Sequence, residues 1–82
     1  MNRVKLLFFA TLRDRAGTKS MELDIPADLT VQELKHKISN EYPNLRDSMS
    51  SVLITINREY AFDDAVIPQN AELALFPPVS GG

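Results

Sequence analysis

The sequence predicts a single α+β roll in which one main helix packs on one face of a mixed β-sheet. Its 82 residues are enough for one domain. Two apolar stretches typical of strands precede a helix with a complete start signal, and further apolar stretches follow it. One helix is enough to cover one face of such a sheet. We expect the domain to span residues 1–76 and a flexible, extended Gly-Gly tail to span 77–82.

Two strands are predicted before the main helix. Residues 3–11 carry apolar side chains on both faces, whereas residues 20–25 alternate between apolar and polar until Pro26 ends the strand. Between them, residues 12–16 can form a short helical turn that Gly17 stops, because glycine tolerates a positive φ. The inward face would hold Val4, Leu6, Phe8, Met21, Leu23 and Ile25.

The start of the main helix is the clearest local signal. Thr30 at the N-cap and Glu33 three residues later form a capping box. Leu29 and Leu34 occupy the two positions of a hydrophobic staple. Pro43 prevents the helix from continuing past residue 42. One apolar stripe results, formed by Val31, Leu34, Ile38 and Tyr42.

The remaining strands follow the helix. Residues 52–57 are β-branched and apolar, which is typical of a strand. Arg58 and Glu59 are expected to turn the chain into a short strand over 60–62. Residues 72–76 form the last strand, with Leu73 and Leu75 on one face. Pro77 ends it, because proline cannot donate a backbone hydrogen bond.

Composition excludes several kinds of site. The chain has no cysteine, which excludes disulfides, thiolate metal sites and sulfur chemistry on its own side chains. With His36 as the only histidine and three glycines in all, neither a metal cluster nor a phosphate-binding glycine loop is expected. The net charge is −2 without a clustered basic face, which argues against nucleic acid. The longest apolar run, residues 6–10, is too short to span a membrane, so we expect a cytoplasmic protein.

The charges are unevenly distributed along the chain. Residues 1–46 carry eight basic and six acidic side chains, whereas residues 47–82 carry one basic and five acidic ones. A partner that holds the C-terminal half is therefore expected to be basic. In the first half, Arg13, Arg15 and Lys19 could meet an anionic ligand, but a solvated loop is the simpler interpretation. Asp63 and Asp64 are interpreted as turn chemistry rather than as a paired-carboxylate site.

The tail and the outward sheet face are the candidate functional features. Two prolines and two glycines after the last strand would let an extended segment enter a narrow channel, although a frayed terminus has the same composition. By strand parity, Leu7 and Phe9 share the outward face that Lys5 marks. Phe76 likewise shares a face with Glu72. Large apolar side chains on such a face indicate a docking patch, unless a loop covers them.

Three segments carry a resemblance that runs from end to end of the chain. They are residues 4–13, the helix start at 30–34, and the ending Phe76-Pro77-Pro78-Val79-Ser80-Gly81-Gly82. In these segments the chain resembles the ubiquitin-like sulfur-carrier family, and within it the small subunits of molybdopterin synthase. A Gly-Gly end alone is a weak signal, so the resemblance rests on the whole ending over residues 76–82 together with the first strand.

The resemblance implies a β-grasp fold and a role in carrying sulfur. In that family an ATP-dependent activating enzyme adenylates the C-terminal glycine, and a sulfur donor protein converts the adenylate to a thiocarboxylate. The tail then enters the large synthase subunit, where the sulfur passes to a cyclic pyranopterin precursor of the molybdenum cofactor. Two small and two large subunits would assemble. The chain itself would bind no cofactor, nucleic acid or membrane.

Matched residue by residue, Gly82 would carry the sulfur. The part of the tail inside the channel would be Val79, Ser80 and Gly81. Contact with the large subunit would come from Leu7, Phe9, Tyr60 and Phe76. The first and last strands of a β-grasp sheet are neighbours, so the Phe9 and Phe76 rings should lie close together. Before the last strand the chain has Asn70 where the family commonly has a glycine, and asparagine can adopt the same left-handed conformation.

Three other functions stay open. A sulfur carrier for thiamine biosynthesis shares the fold and the tail chemistry, but such chains are generally shorter and lack the Phe-Pro-Pro stretch. A ubiquitin-like protein modifier would end in an isopeptide bond to a lysine. A plain interaction module would tolerate a C-terminal tag.

Overall fold

Five strands form one mixed sheet in the computed structural model, which describes residues 1–78. The strands are β1 Asn2–Phe8, β2 Ser20–Ile25, β3 Leu53–Ile56, β4 Glu59–Tyr60 and β5 Glu72–Phe76. Their order across the sheet is β2-β1-β5-β3-β4, with β1 and β5 parallel and the other pairs antiparallel. The helices are α1 Thr11–Ala16, α2 Val31–Glu41 and a 3₁₀ helix, Pro43–Ser48. The predicted α+β roll, with the strand arrangement of a β-grasp fold, is confirmed.

The start of α2 has the predicted capping box. The Thr30 hydroxyl accepts from the Glu33 backbone N–H at 3.2 Å, and the Glu33 carboxylate accepts from the Thr30 backbone N–H at 3.0 Å. These two bonds satisfy donors that the first helical turn leaves free. The stripe of α2 faces the sheet, with Leu34 and Ile38 fully buried and Tyr42 half-buried.

The hairpin between β3 and β4 differs from the prediction by one residue. Asn57 and Arg58 form the turn, with φ values of 50° and 76°, and Glu59 already pairs with Ile56. A two-residue hairpin loop of this kind needs a positive φ at both central positions, and asparagine accepts that conformation more readily than glutamate does. The predicted turn at Arg58 and Glu59 and the predicted strand over 60–62 were therefore wrong in register.

Other boundaries also differ from the sequence prediction, and β3 covers Leu53–Ile56 rather than the predicted residues 52–57. β1 ends at Phe8 rather than at residue 11, because Ala10 turns the chain with φ 53° and ψ −129° and α1 begins at Thr11. Gly17 ends α1 in the left-handed region, as predicted. The 3₁₀ helix after α2 was not predicted, and it brings Leu45 into the core.

The core lies between α2 and the inward face of the sheet. Almost all of the predicted inward residues are buried, and Met21 is half-buried against them. The fully buried side chains include Leu6, Ile25, Val31, Leu34, Ile38, Leu73 and Leu75. In residues 1–78, no helix is long and apolar enough to cross a membrane.

Asn2 is a polar side chain buried at the edge of this core. Its amide nitrogen donates to the Pro68 carbonyl and its amide oxygen accepts from the Asn70 backbone N–H, both at 2.8 Å. Asn70 has a φ of 58°, which confirms the left-handed conformation predicted at this turn. The two bonds tie the start of β1 to the loop that leads into β5, so they fix where the last strand begins.

Candidate functional site

The outward face of the sheet carries one row of side chains that crosses four strands. Leu7 on β1 pairs with Ala74 on β5, and Ala74 pairs with Thr55 on β3. Thr55 in turn pairs with Tyr60 on β4. Leu7 is half-buried and Tyr60 is 76% exposed. Residues that lie far apart in the sequence therefore share one line on the open face.

A second, more aromatic row lies toward the carboxyl ends of β1 and β5. The Phe9 backbone N–H donates to the Leu75 carbonyl at 3.2 Å, so pairing with β5 continues past the last residue of β1. The Phe9 and Phe76 rings stack with centroids 4.6 Å apart and an angle of 11° between their planes. Their predicted proximity is confirmed. Leu53 on β3 pairs with Phe76 and extends this row.

Together these residues form an exposed apolar surface. We call it the docking face and define it as Leu7, Phe9, Leu53, Tyr60, Phe62 and Phe76. Phe9 is 41% exposed and Phe62 is 80% exposed, so two large rings meet solvent. Exposed apolar groups gathered in this way on a small domain are typical of a protein-binding surface.

Leu53 and Phe62 were missed by the sequence analysis. Leu53 is the first residue of β3 and lies between the buried Val52 and Ile54, so strand parity would have placed it outward. Phe62 is separated from Tyr60 by the half-buried Ala61, whose N–H donates to the Ile54 carbonyl at 3.0 Å. The predicted strand over 60–62 already placed Phe62 on the same face as Tyr60, so strand parity could have identified it. Leu53, Tyr60 and Phe62 line an open groove of about 770 Å³.

The opposite end of the outward face is polar. The Arg3 guanidinium bonds the Asp24 carboxylate at 3.0 Å and lies 3.9 Å from Glu22. The hydrogen bond from Arg3 lowers the pKa of Asp24 below its ordinary value. Lys5 on β1 lies opposite Glu72 in the register of β1 and β5. The face thus changes from charged to apolar along the direction in which β1 and β5 run.

The tail begins where the docking face ends. β5 stops at Phe76, Pro77 is half-buried and Pro78 is exposed. The four residues predicted to enter a channel or to carry the sulfur, Val79, Ser80, Gly81 and Gly82, lie outside the described residues, and their roles stay predictions. The stacked Phe9 and Phe76 rings therefore lie at the point where the tail begins.

The other candidate residues lie elsewhere. His36 is exposed on α2, and residues 1–78 contain no group of three histidine, cysteine or acidic side chains that could hold a metal ion. Asp63 lies in the turn after β4, which packs against the start of α2: its carbonyl accepts from the Gln32 N–H and its carboxylate pairs with Lys35 at 2.7 Å. The turn interpretation of Asp63 is confirmed. Arg13 lies on α1, beside the docking face.

Comparison with known proteins gives matches along nearly the whole chain. A family model described as the ThiS family matches residues 6–82. A molybdopterin synthase sulfur carrier subunit of Arabidopsis thaliana is 34% identical, over 96% of this chain and 82% of the relative. The protein of the same name from Dictyostelium discoideum is 34% identical, over 99% of this chain and 98% of its own length.

Solved structures give the same fold. The crystal structure of SAMP1 from Haloferax volcanii is 29% identical and superposes with a TM-score of 0.82, over 99% of this chain and 100% of the SAMP1 chain. This similarity covers nearly the whole chain, so the β-grasp assignment does not depend on the topology alone.

Proposed function

Because the chain belongs to the ThiS family, we propose that it is the sulfur-carrier small subunit of a molybdopterin synthase. The proposal rests on the stacked Phe9–Phe76 pair on an open sheet face. Phe76 directly precedes the ending Pro77-Pro78-Val79-Ser80-Gly81-Gly82. Relatives that match over nearly their full length are named as sulfur carrier subunits of this synthase, which supports the same function.

The proposed chemistry takes place at the Gly82 carboxylate. A carboxylate is a poor electrophile, so an ATP-dependent activating enzyme first joins it to AMP and releases pyrophosphate. A sulfur donor protein then supplies sulfur at the oxidation level of sulfide, which attacks the acyl carbon, displaces AMP and leaves a thiocarboxylate. In the synthase, this sulfur passes to the cyclic pyranopterin precursor, and water returns an oxygen to the glycine carbonyl. No side chain of this chain has to be a nucleophile, which agrees with the absence of cysteine.

The docking face would orient the tail. A large synthase subunit that packs on Phe9, Tyr60 and Phe76 holds the base of the tail, so that Val79, Ser80 and Gly81 can run through a channel to the reaction site. Large aromatic side chains in the centre of an interface commonly contribute most of its binding energy. The proposed assembly has two small and two large subunits in the cytoplasm, and the chain itself holds no cofactor.

One observation favours a second candidate function. SAMP1 from Haloferax volcanii, a small archaeal modifier protein, has the same fold at 29% identity. Attachment to a lysine begins with the same adenylate, but the acyl group of Gly82 is then transferred to an amine, whereas a sulfur carrier transfers only its sulfur. A sulfur carrier for thiamine biosynthesis is the other alternative, and the names of the curated relatives favour molybdopterin over it.

Intact mass and reconstitution test the proposal. The chain purified from its own cells should contain a species in which one oxygen is replaced by sulfur, and chemically thiocarboxylated chain with its large subunit should convert the pyranopterin precursor. Gly81→Val should block this transfer, because a β-branched side chain widens the tail and stiffens its backbone. A ladder of covalent conjugates that disappears on removal of Gly82, without precursor conversion, would instead establish the modifier function.

A further inference from the structure

Two grooves of opposite charge border the docking face. The first, of about 350 Å³, runs along β1 beside Leu7 and Phe9. The charged side chains that line it are Lys5, Arg13 and Lys19, and no acidic side chain lines it. Two of these cations were interpreted from the sequence as a solvated loop. Both are exposed, and the fold places them beside the apolar surface.

The second groove lies on the opposite side, beyond β3 and β4. It is the groove of about 770 Å³ that Leu53, Tyr60 and Phe62 line, and Asp63 and Asp64 line it as well. Its one cation, Lys35, is already paired with Asp63 at 2.7 Å. The adjoining groove along β4 is lined by Glu59 and Asp64 and by no cation.

The cations of the first groove are free to meet a partner. Within residues 1–78, the cations that form ion pairs are Arg3, Lys35 and Lys37. Lys5 lies in register between Glu22 and Glu72, which offset part of its charge. Arg13 and Lys19 therefore supply most of the positive charge of this groove.

We propose that the large synthase subunit places an acidic segment in the Lys5–Arg13–Lys19 groove and a basic segment against Asp64 and Glu59. This inference rests on the proposed function and adds the orientation of the complex to it. The apolar centre alone permits several rotations of one protein on the other. Opposite charges on the two sides of the docking face favour one of these rotations, because the reversed arrangement would bring like charges together. The C-terminal half alone predicted a basic partner; the fold adds an acidic segment on the other side.

Matched charge reversals on α1 test the first groove. Arg13→Glu and Arg15→Glu change the net charge equally and lie in the last turn of the same helix, but only Arg13 lines the groove. At low ionic strength, Arg13→Glu should slow association with the large subunit about tenfold, and Arg15→Glu should slow it less than about twofold. High salt should remove most of the difference. Arg13→Lys, which keeps the charge, should bind like the wild type.

The acidic side has its own matched pair. Asp64→Lys should slow association, whereas Asp47→Lys, on the 3₁₀ helix away from the docking face, should not. Carbodiimide, which joins an amine to a carboxylate in contact, should link Lys5 or Lys19 to acidic residues of the large subunit. It should also link lysines of the large subunit to Glu59 or Asp64.

The possible outcomes separate the two proposals. If Arg13→Glu and Arg15→Glu bind at the same rate, or if the cross-links come only from Lys35 and Lys37, the orientation proposal is overturned while the docking face stands. If the wild-type chain forms no complex with the large subunit at any salt concentration, the proposed function itself is overturned.

Discussion

The inward and outward faces of the sheet are built from alternate residues of the same strands, yet they meet different surroundings. On β5, Leu73 and Leu75 are fully buried beneath α2, while Phe76 is half-buried and stacks on Phe9 at the open face. Each strand therefore contributes to folding with one set of side chains and to a binding surface with the other. Substitutions one residue apart should therefore affect different properties.

The largest effect is expected at the tail, which belongs to neither face. Removal of Gly82, or addition of one residue after it, should abolish adenylation while the melting temperature stays unchanged. The position follows the last residue of β5 by six residues. ATP–pyrophosphate exchange with the activating enzyme, beside a thermal melt, measures both. Full exchange by the shortened chain would contradict the carrier function.

A matched pair of leucines tests the difference between the faces directly. Leu73→Ala on the inward face should lower the free energy of unfolding by ~2–5 kcal/mol, because it leaves a cavity in the core. Leu53→Ala makes the same chemical change at a side chain that is 37% exposed, and should cost less than ~1 kcal/mol. Urea unfolding measures both. Equal losses would show that the outward face is also part of the core.

The stacked rings should matter for binding more than for folding. Phe9→Ala combined with Phe76→Ala should weaken binding to the large subunit by ~2 kcal/mol or more, roughly thirtyfold in affinity. Titration calorimetry measures the affinity, and a urea melt on the same variant provides the control. A loss of stability as large as that of Leu73→Ala, or an unchanged affinity, would mean that the stacked pair supports the fold instead of docking.

The smallest effect is expected from a change of pH on stability, because the titrating carboxylate, Glu33, lies at the start of α2 and is not part of the docking face. Hydrogen bonds from the backbone N–H and hydroxyl of Thr30 lower the pKa of Glu33 in the folded chain. The resulting stability is present above the ordinary pKa of a glutamate and is lost as the pH falls through the lowered value. Glu33→Gln should therefore make stability depend less on pH below about 5. An unchanged profile in thermal melts would contradict this role.

Local chemistry was sufficient to predict the features in which a residue interacts only with residues close to it in the sequence. The capping box at Thr30, the Gly17 stop and the left-handed Asn70 follow from conformational preferences that a short segment expresses by itself. The strands at 20–25 and 72–76 have the predicted bounds. Their alternating side chains distinguish the two faces, and the proline that follows each strand marks its end. The Phe9–Phe76 proximity was also predicted, through the family's strand order.

The rest was decided by the tertiary structure. The turn at Asn57 and Arg58 sets which residue of β4 pairs with Ile56, and the predicted turn one residue later would have placed Phe62 instead of Tyr60 opposite Thr55. Leu53 joins Phe76 only because β3 lies beside β5. The sequence by itself determined which residues each strand turns outward, whereas strand pairing decided which of them become neighbours. Arg13 and Asp64 border opposite sides of one surface for the same reason, since contacts between distant segments set the distribution of charge in space.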